Sequence, residues 1–365
     1  LYILRIGHEC MWPQNRLTER LNIQWPIFQA PMGGVSTSAL AAAVSNSGGV
    51  GGLGMWGLTS EEAERLVAGF QQMSGGCLNI NYPLWENPAE VSEEILERQK
   101  KLQKIYNEKG LGNLSVPTPS GGSIDENHLN MIEKLKPEVI SFHFGLPDKE
   151  ILSEIKALGI FVISSATTVK EAKILAFQGA DAIIAQGTEA GGHRGTFSET
   201  CISSQAGLIS LLPQIVDNVT VPIIAAGGLA DGRGIAAAFM LGASAVQIGT
   251  AFLSSEEANV HPEHRRVLSD ATDENTFVTK LVTGKPARFI QNRLTTELEQ
   301  ENEDPLPFPA QSMLTARLKE TGDGDLMGLY AGQSAALNRS LPASELVKRL
   351  CCEAENCFKL CSPNQ

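Results

Sequence analysis

The stretch Gln186-Gly-Thr-Glu-Ala-Gly-Gly-His-Arg-Gly195 sets one imidazole and one guanidinium among glycines. His193 is the side-chain type that titrates nearest neutral pH, so proton transfer is the chemistry it brings. Gly191, Gly192 and Gly195 let the backbone come close to a bound molecule. An ordinary strand-to-helix turn with a hydrogen-bonded histidine is the alternative reading. A second imidazole, His143, stands near the end of Pro137-Glu-Val-Ile-Ser-Phe-His-Phe144. One glycine pair, Gly227-Gly228, and the pair Gly249-Thr250 with its single small hydroxyl offer bare backbone to an anion. Asn81 and Gln186 are amides that both donate and accept, which suits the edge of a heterocycle such as an isoalloxazine ring. Asn79 shares a strand face with Asn81.

These residues fall at the ends of short apolar runs. Strands are expected at 26–32, 50–54, 77–82, 137–144, 160–165, 181–186, 221–228 and 244–249, and helices between them. Thr59 or Ser60, Thr167 or Thr168, and Asp231 stand as helix N-caps. Eight strand–helix units in about 230 residues match a closed (β/α)8 barrel, whose C-terminal strand ends converge on one mouth. The fold class is therefore α/β, a TIM barrel with an inserted segment and a C-terminal helical extension. An open doubly wound sheet would need G-x-G-x-x-G after the first strand, which is not there. Gly227-Gly228 and Gly249-Thr250 then lie on strands seven and eight, where barrels most often hold phosphate. Residues 1–20 read as an irregular leader and 21–365 as the barrel. Residues 86–125, a charged helix followed by a Gly/Pro/Ser-rich loop, read as an insertion that is either a wall of the site or a solvated surface helix. Lys280–Leu294 reads as a decorating strand or loop pair. Helical pieces are expected at 306–320 and 327–337, within a C-terminal region of helical elements from about 295 to 365.

Of 365 residues, 42% are hydrophobic, and the net charge is -12 without a basic block, which argues against nucleic acid. No apolar run reaches the ~18 residues needed to cross a bilayer, and Leu1–Gln14 does not read as a signal peptide, so the expected compartment is the cytoplasm. The seven cysteines do not suggest a disulfide framework. Cys351-Cys352 lacks zinc-site spacing and lies in a helical pattern, so no metal is expected.

The motifs Gln29-Ala-Pro-Met-Gly-Gly-Val-Ser-Thr37, Ala41-Ala-Ala-Val-Ser-Asn-Ser-Gly-Gly49, Gln186–Gly195 and Ile224-Ala-Ala-Gly-Gly-Leu-Ala-Asp-Gly-Arg-Gly234 together resemble the nitronate monooxygenases, formerly called 2-nitropropane dioxygenases. Gln247-Ile-Gly-Thr-Ala-Phe-Leu253 and Tyr330-Ala-Gly-Gln333 extend the likeness, which runs from about Asn22 to Leu350. Ser141-Phe-His-Phe-Gly-Leu-Pro147 and the Gly-Gly-His-Arg motif resemble the bacterial-type branch, associated with propionate 3-nitronate. The resemblance implies non-covalent FMN, and oxidation of a nitronate by O2 to a carbonyl compound and nitrite. Separately, a monomer or homodimer is expected. It implies that His193 is the active-site histidine, acting as base towards a neutral nitroalkane or as donor to an anionic nitronate. His143 matches a second histidine over the flavin. Ala30, Met32, Asn81, Gln186, Gly191, Gly192, Gly227, Gly228, Gln247, Gly249, Thr250 and Gln333 match flavin-binding positions, and Ser165 is placed to reach the phosphate. Asn79 is an alternative to Asn81. Gly33-Gly34 and Tyr82-Pro-Leu-Trp85 depart from the family pattern, the latter near the expected substrate entry. An anionic substrate on an acidic protein needs a local positive field, for which His143, His193 and Arg194 are the candidates. The competing readings are an NAD(P)H-driven flavin reductase of quinones or enoyl thioesters on a similar barrel, and a flavin-binding protein without turnover.

Overall fold

The computed structural model describes residues 12–86, 91–116, 122–198, 202–300 and 304–361. In chain order its strands are β1 (Ile27–Gln29), β2 (Gly51–Gly54), β3 (Leu78–Pro83), β4 (Val139–His143), β5 (Phe161–Ala166), β6 (Ala182–Gln186), β7 (Gly192–His193), β8 (Ile223–Ala226), β9 (Ala245–Ile248), β10 (Thr276–Thr279) and β11 (Ala287–Ile290). Eight of them form one sheet in the order β1-β9-β8-β6-β5-β4-β3-β2. All its pairings are parallel. A parallel bridge between Phe28 and Val50 joins the two ends, with Gln29 N–H donating to Val50 O at 2.9 Å. The result is a nearly closed (β/α)8 barrel, as the alternation of strands and helices requires.

The strands are short β-branched or alanine-rich runs buried on both faces, which is what a helix-covered parallel sheet selects. Helix starts follow the polar residues ahead of them. Thr59 closes a capping box with Glu62, Thr168 accepts from Glu171 N, and Asp231 accepts from Arg233 N and Gly234 N. No helix among the described residues is long and apolar enough to cross a membrane.

Three expectations need revision. Residues 1–11 lie outside the described residues, but the rest of the supposed leader is built into the fold. Arg16–Leu21 is a helix whose Asn15 cap also donates to Ser244 O at 2.8 Å. Trp12 is buried against Trp25, Phe239 and Phe358. The expected helix at 327–337 is an irregular strap. Gly328 and Gly332 interrupt it, Ile290 N–H donates to Leu329 O at 2.8 Å, and a short 3-10 turn is confined to Ala335–Leu337. The piece at 306–320 is shorter than expected, a helix over Ala310–Ala316 followed by a 3-10 turn.

The insertion is not a fully solvated helix. Its helices Glu93–Glu97 and Lys100–Glu108 build a second small core with the C-terminal extension. Leu102, Ile105 and Tyr106 pack with Leu294, Leu298, Leu306 and Leu314. Tyr106 Oη donates to Leu314 O at 2.6 Å, and Arg293 pairs with Glu108 at 2.5 Å. Insertion and extension therefore stand as one unit. The last helix, Ala343–Cys361, packs instead on Gly232–Met240, burying Cys351 with Leu346, Val347 and Leu350 in the barrel's outer core.

Candidate active site

The loop after β6 leaves the barrel. Its β7 segment pairs antiparallel with β11, setting His193 opposite Ala287 and Gly192 opposite Arg288, and β11 pairs with β10. The His193 loop is thus an edge strand of a hairpin from the extension. Gly191 and Gly192 are required for different reasons. A Cβ on Gly191 would stand 2.5 Å from Gly332 N, inside the strap, whereas Gly192 has open space around it but a φ of +76°.

Within the loop the His193 carbonyl is held twice, by Gln186 Nε2 at 3.0 Å and His143 Nε2 at 3.2 Å. Gly195 N–H donates to Gln186 Oε1 at 2.8 Å. Gln186, expected at the heterocycle's edge, thus has both ends of its amide bracing the loop. Arg194, expected to contribute positive field, is 1% exposed. Its guanidinium donates to Gly187 O, Gln186 O and Gln205 Oε1, at 2.6, 2.7 and 2.6 Å. It ties the two ends of the loop together inside the protein and presents no charge to the mouth.

The donors and acceptors around the two imidazoles fix their tautomers. A carbonyl oxygen can only accept, so His143 carries its proton on Nε2. Its Nδ1 then accepts from Ser165 Oγ at 3.1 Å. Both ring nitrogens of His143 are engaged, and Ser165, expected near phosphate, holds this ring. Around His193, Thr283 Oγ donates to Lys285 O at 2.9 Å. Its lone pair therefore accepts from His193 Nε2–H at 3.0 Å, since the reverse assignment would set two oxygen acceptors 2.9 Å apart. His193 Nδ1 keeps its lone pair and bonds no described protein group. The two histidines divide their roles: His143 holds the loop, and His193 presents a free basic nitrogen.

Both rings are neutral in the ordinary pH range. Burial pushes His143 down to about 4, with the Arg194 and Lys285 cations adding to it against the His193 carbonyl. Burial pushes His193 down to about 3, with His143, once protonated, and the Lys285 ammonium acting the same way. The walls around His193 are aromatic. Phe308, Tyr330 and Phe144 have ring centroids 5.3, 5.7 and 6.0 Å from it. Trp56 and Trp85 lie 4.5 Å apart between centroids, tilted by 43°, and both meet Phe308. Phe144 holds φ +69°, a region bulky residues avoid, and the Lys285 ammonium lies 4.5 Å from its centroid. Thr283, Lys285 and Phe308 were missed in the sequence. The one signal was Gly284 and Pro286 flanking Lys285, which marks a tight turn without saying where it lands.

The remaining expected residues lie at the ends of several strands. At the ends of β1 and β9, a Cβ on Gly249 would stand 3.3 Å from Ala30 Cβ and 4.0 Å from Met32 Sδ. Beyond it, Thr250 Oγ1 accepts from Gly332 N at 2.9 Å, and Gln333 N donates to Glu189 O at 2.9 Å in the same strap. Gly227 and Gly228 have φ of +114° and +70° at the end of β8. Asn81 donates to Ser141 Oγ at 2.9 Å near the mouth. Asn79 lies one layer deeper, opposite Gly52 and Val139, fully buried with both amide atoms unpartnered.

A family model described as nitronate monooxygenase matches residues 14–353. A Staphylococcus aureus (strain Newman) protein named probable nitronate monooxygenase is 37% identical over 349 residues, covering 93% of this chain and 97% of its own. The solved structure of nitroalkane oxidase from Streptomyces ansochromogenes superposes with a TM-score of 0.86 at 35% identity, covering 95% of this chain and 99% of that one. FabK from Thermotoga maritima superposes with a TM-score of 0.75 at 28% identity, over 96% and 99% of the two chains. With the model spanning nearly the whole chain, and relatives above one-third identity over nearly their full length, this chain belongs to the nitronate monooxygenase family.

Proposed function

We propose that the chain is an FMN-dependent oxygenase that converts nitronates, alkyl nitronates and propionate 3-nitronate among them, to carbonyl compounds and nitrite with O2. The carrying observation is His193 Nδ1, a basic nitrogen left free by the Thr283 bond to Nε2, in an aromatic-walled mouth.

The residues present fit a flavin mononucleotide. Gln247 on β9 holds a buried amide oxygen without a partner. The turn Thr250–Leu253 starts at Gly249 with no side-chain cap, leaving main-chain N–H groups at the strand end where barrels bind phosphate. Gly227, Gly228, Gly249 and Thr250 would line the phosphate. Ala30, Met32, Asn81, Gln247, Gly191, Gly192 and Gln333 would line the rest of the cofactor. When bound, the flavin supplies the electron-accepting centre for oxidation of the nitronate.

A neutral imidazole whose N–H is already donated cannot donate to an anion, so His193 is assigned the role of base, with the negative charge that forms on the nitro oxygens beside the ring offsetting the burial that depresses its pKa. Its Nδ1 takes the α-proton of a neutral nitroalkane, and a nitronate that arrives already ionised needs no such step. Gln186 and His143 hold the loop so that Nδ1 keeps its aim. The aromatic rings exclude water from the reacting carbon.

The FabK likeness favours a second reading, reduction by NAD(P)H on the same barrel. One experiment separates them: FMN-loaded protein is mixed with ethyl nitronate in air without nicotinamide, and nitrite and acetaldehyde are measured. The proposal expects both products. Flavin absorbance that bleaches with NAD(P)H but never with nitronate would overturn it in favour of the reductase.

A further inference from the structure

Three cations approach the His193 loop, and two are committed to carbonyl oxygens. Arg194 donates to Gly187 O and Gln186 O. Arg288, 5% exposed, donates to Thr188 O at 3.0 Å and Thr276 O at 3.1 Å. The third, Lys285, pairs with no carboxylate among the described residues. Glu171 already accepts from Thr167, Thr196, Phe197 and Ser198, and Glu189, inside the loop, accepts from Leu208 N and faces Arg194 and Arg288. The Lys285 ammonium lies 4.5 Å from the Phe144 centroid, and Phe144 in turn faces both histidines, 4.6 and 6.0 Å between centroids.

Its position is built, not incidental. Lys285 sits in a turn closed by Thr283 Oγ on its own carbonyl. Gly284 in that turn has φ +87°, and a Cβ there would stand 2.4 Å from Leu306 O and 2.6 Å from Phe308 N. The extension clamps the turn, so the residue that fixes the His193 tautomer and the one that brings the charge move as a unit. A half-buried ammonium without a counter-ion is costly, and one aromatic face offsets only part of that cost. On a protein of net charge -12, with both imidazoles neutral, this is the positive field that an anionic substrate requires.

We propose that Lys285 receives the negatively charged oxygens of the nitronate, holding the substrate anion beside His193 Nδ1 and stabilising the charge that develops when a neutral nitroalkane is deprotonated. This rests on the oxygenase reading and deepens it. The site is thereby one for planar oxyanions, with the ammonium and not an imidazole as the anchor.

The test uses nitrate, a planar monoanion that is not consumed, titrated into FMN-loaded protein and followed by the flavin difference spectrum. Wild type is compared with Lys285→Gln, Lys285→Met and Lys285→Arg, with FMN content and melting temperature checked for each. Loss of a charged hydrogen-bond partner predicts nitrate binding weakened about ten- to a hundredfold in the Gln and Met variants, and largely kept in the Arg variant. KM for ethyl nitronate should rise in step while kcat moves far less. A nitrate dissociation constant within twofold of wild type in a folded, FMN-loaded Gln or Met variant overturns the proposal. Should wild type fail to oxidise nitronates while nitrate binding still depends on Lys285, the oxygenase reading falls and the anion site stands. Should nitronates be oxidised and nitrate binding ignore Lys285, only the anchor falls.

Discussion

Replacing Thr283 with Val tests the tautomer argument directly. The side chain is 1% exposed, and Val keeps its shape while removing the hydroxyl. Three bonds go: His193 Nε2–H to Thr283 Oγ at 3.0 Å, Thr283 Oγ to Lys285 O at 2.9 Å, and a long one from Lys285 N–H to Thr283 Oγ at 3.4 Å. A lost bond that leaves a buried partner unpaired costs about 1–3 kcal/mol. The imidazole is then free to shift its proton to Nδ1 or to turn, and in either case the base is lost from the mouth. Taking about 1.4–2.8 kcal/mol of that in the proton-transfer step gives a ten- to hundredfold fall in kcat for nitroethane. Thr283→Ser, which keeps the hydroxyl, should recover most of the rate. The tautomer itself is read from 15N shifts of labelled histidine, with His193→Asn used to assign the resonance. Wild type should show the proton on Nε2, and Thr283→Val a mixture. A wild-type proton on Nδ1, or a Val variant with unchanged kcat and tautomer, refutes the reasoning.

His193→Asn should still bind FMN, while nitroethane turnover falls about 10²–10⁴-fold and turnover of preformed ethyl nitronate falls much less; equal losses would remove the base role. Gly191→Ala should destabilise by about 3 kcal/mol or more, because its Cβ meets Gly332 backbone at 2.5 Å. Gly192→Ala, with open space but positive φ, should cost only about 1 kcal/mol; denaturant melts compare the two. His143 and His193 titrate at about 4 and about 3 in the fold against 6.5 as ordinary histidines. The unfolded chain therefore takes up protons first, so stability is full above about pH 6.5 and falls as the pH drops towards 4. Melting temperatures across that range should decline, with a shallower slope in a His143→Gln variant.

The barrel was legible because its signals are local. Apolar runs of strand length, caps at Thr59, Thr168 and Asp231, and glycines at strand ends each follow from a few neighbouring residues. The strands of the sheet fall close to where those runs stand. What stayed hidden depends on long-range return of the chain. Nothing near Thr283 says that it meets a residue ninety positions earlier, as its bond to His193 does. Arg194 illustrates the opposite error. Its neighbour His193 faces the mouth, and a charge beside it is easily taken for part of the same field. In an edge strand, however, successive side chains alternate, and Arg194 points back into the loop it ties together. The strap at 327–337 has the composition of a helix but two glycines, and its backbone bonds go to β11, to Thr250 and to Glu189 of the His193 loop instead.

This division bears on how the site can change. The barrel ends supply bare backbone and small side chains, Gly227, Gly228, Gly249 and Ala30, which suit a cofactor and have little chemistry of their own. His193, the proposed base, is on a loop held by barrel residues Gln186 and His143. Its tautomer, its neighbouring charge and its aromatic walls come largely from the unit made by insertion and extension: Thr283, Lys285, Phe308 and Tyr330. Because Tyr106 and Glu108 of the insertion brace that unit through Leu314 and Arg293, substitutions far from the mouth should act on substrate preference and not on flavin retention. Tyr106→Phe removes the buried bond from Tyr106 Oη to Leu314 O, a cost of about 0.5–1.5 kcal/mol localised to the second core. It should raise KM for nitronate with FMN affinity unchanged. A variant that instead sheds FMN at unchanged KM would mean that the insertion supports the cofactor cradle and not the substrate wall.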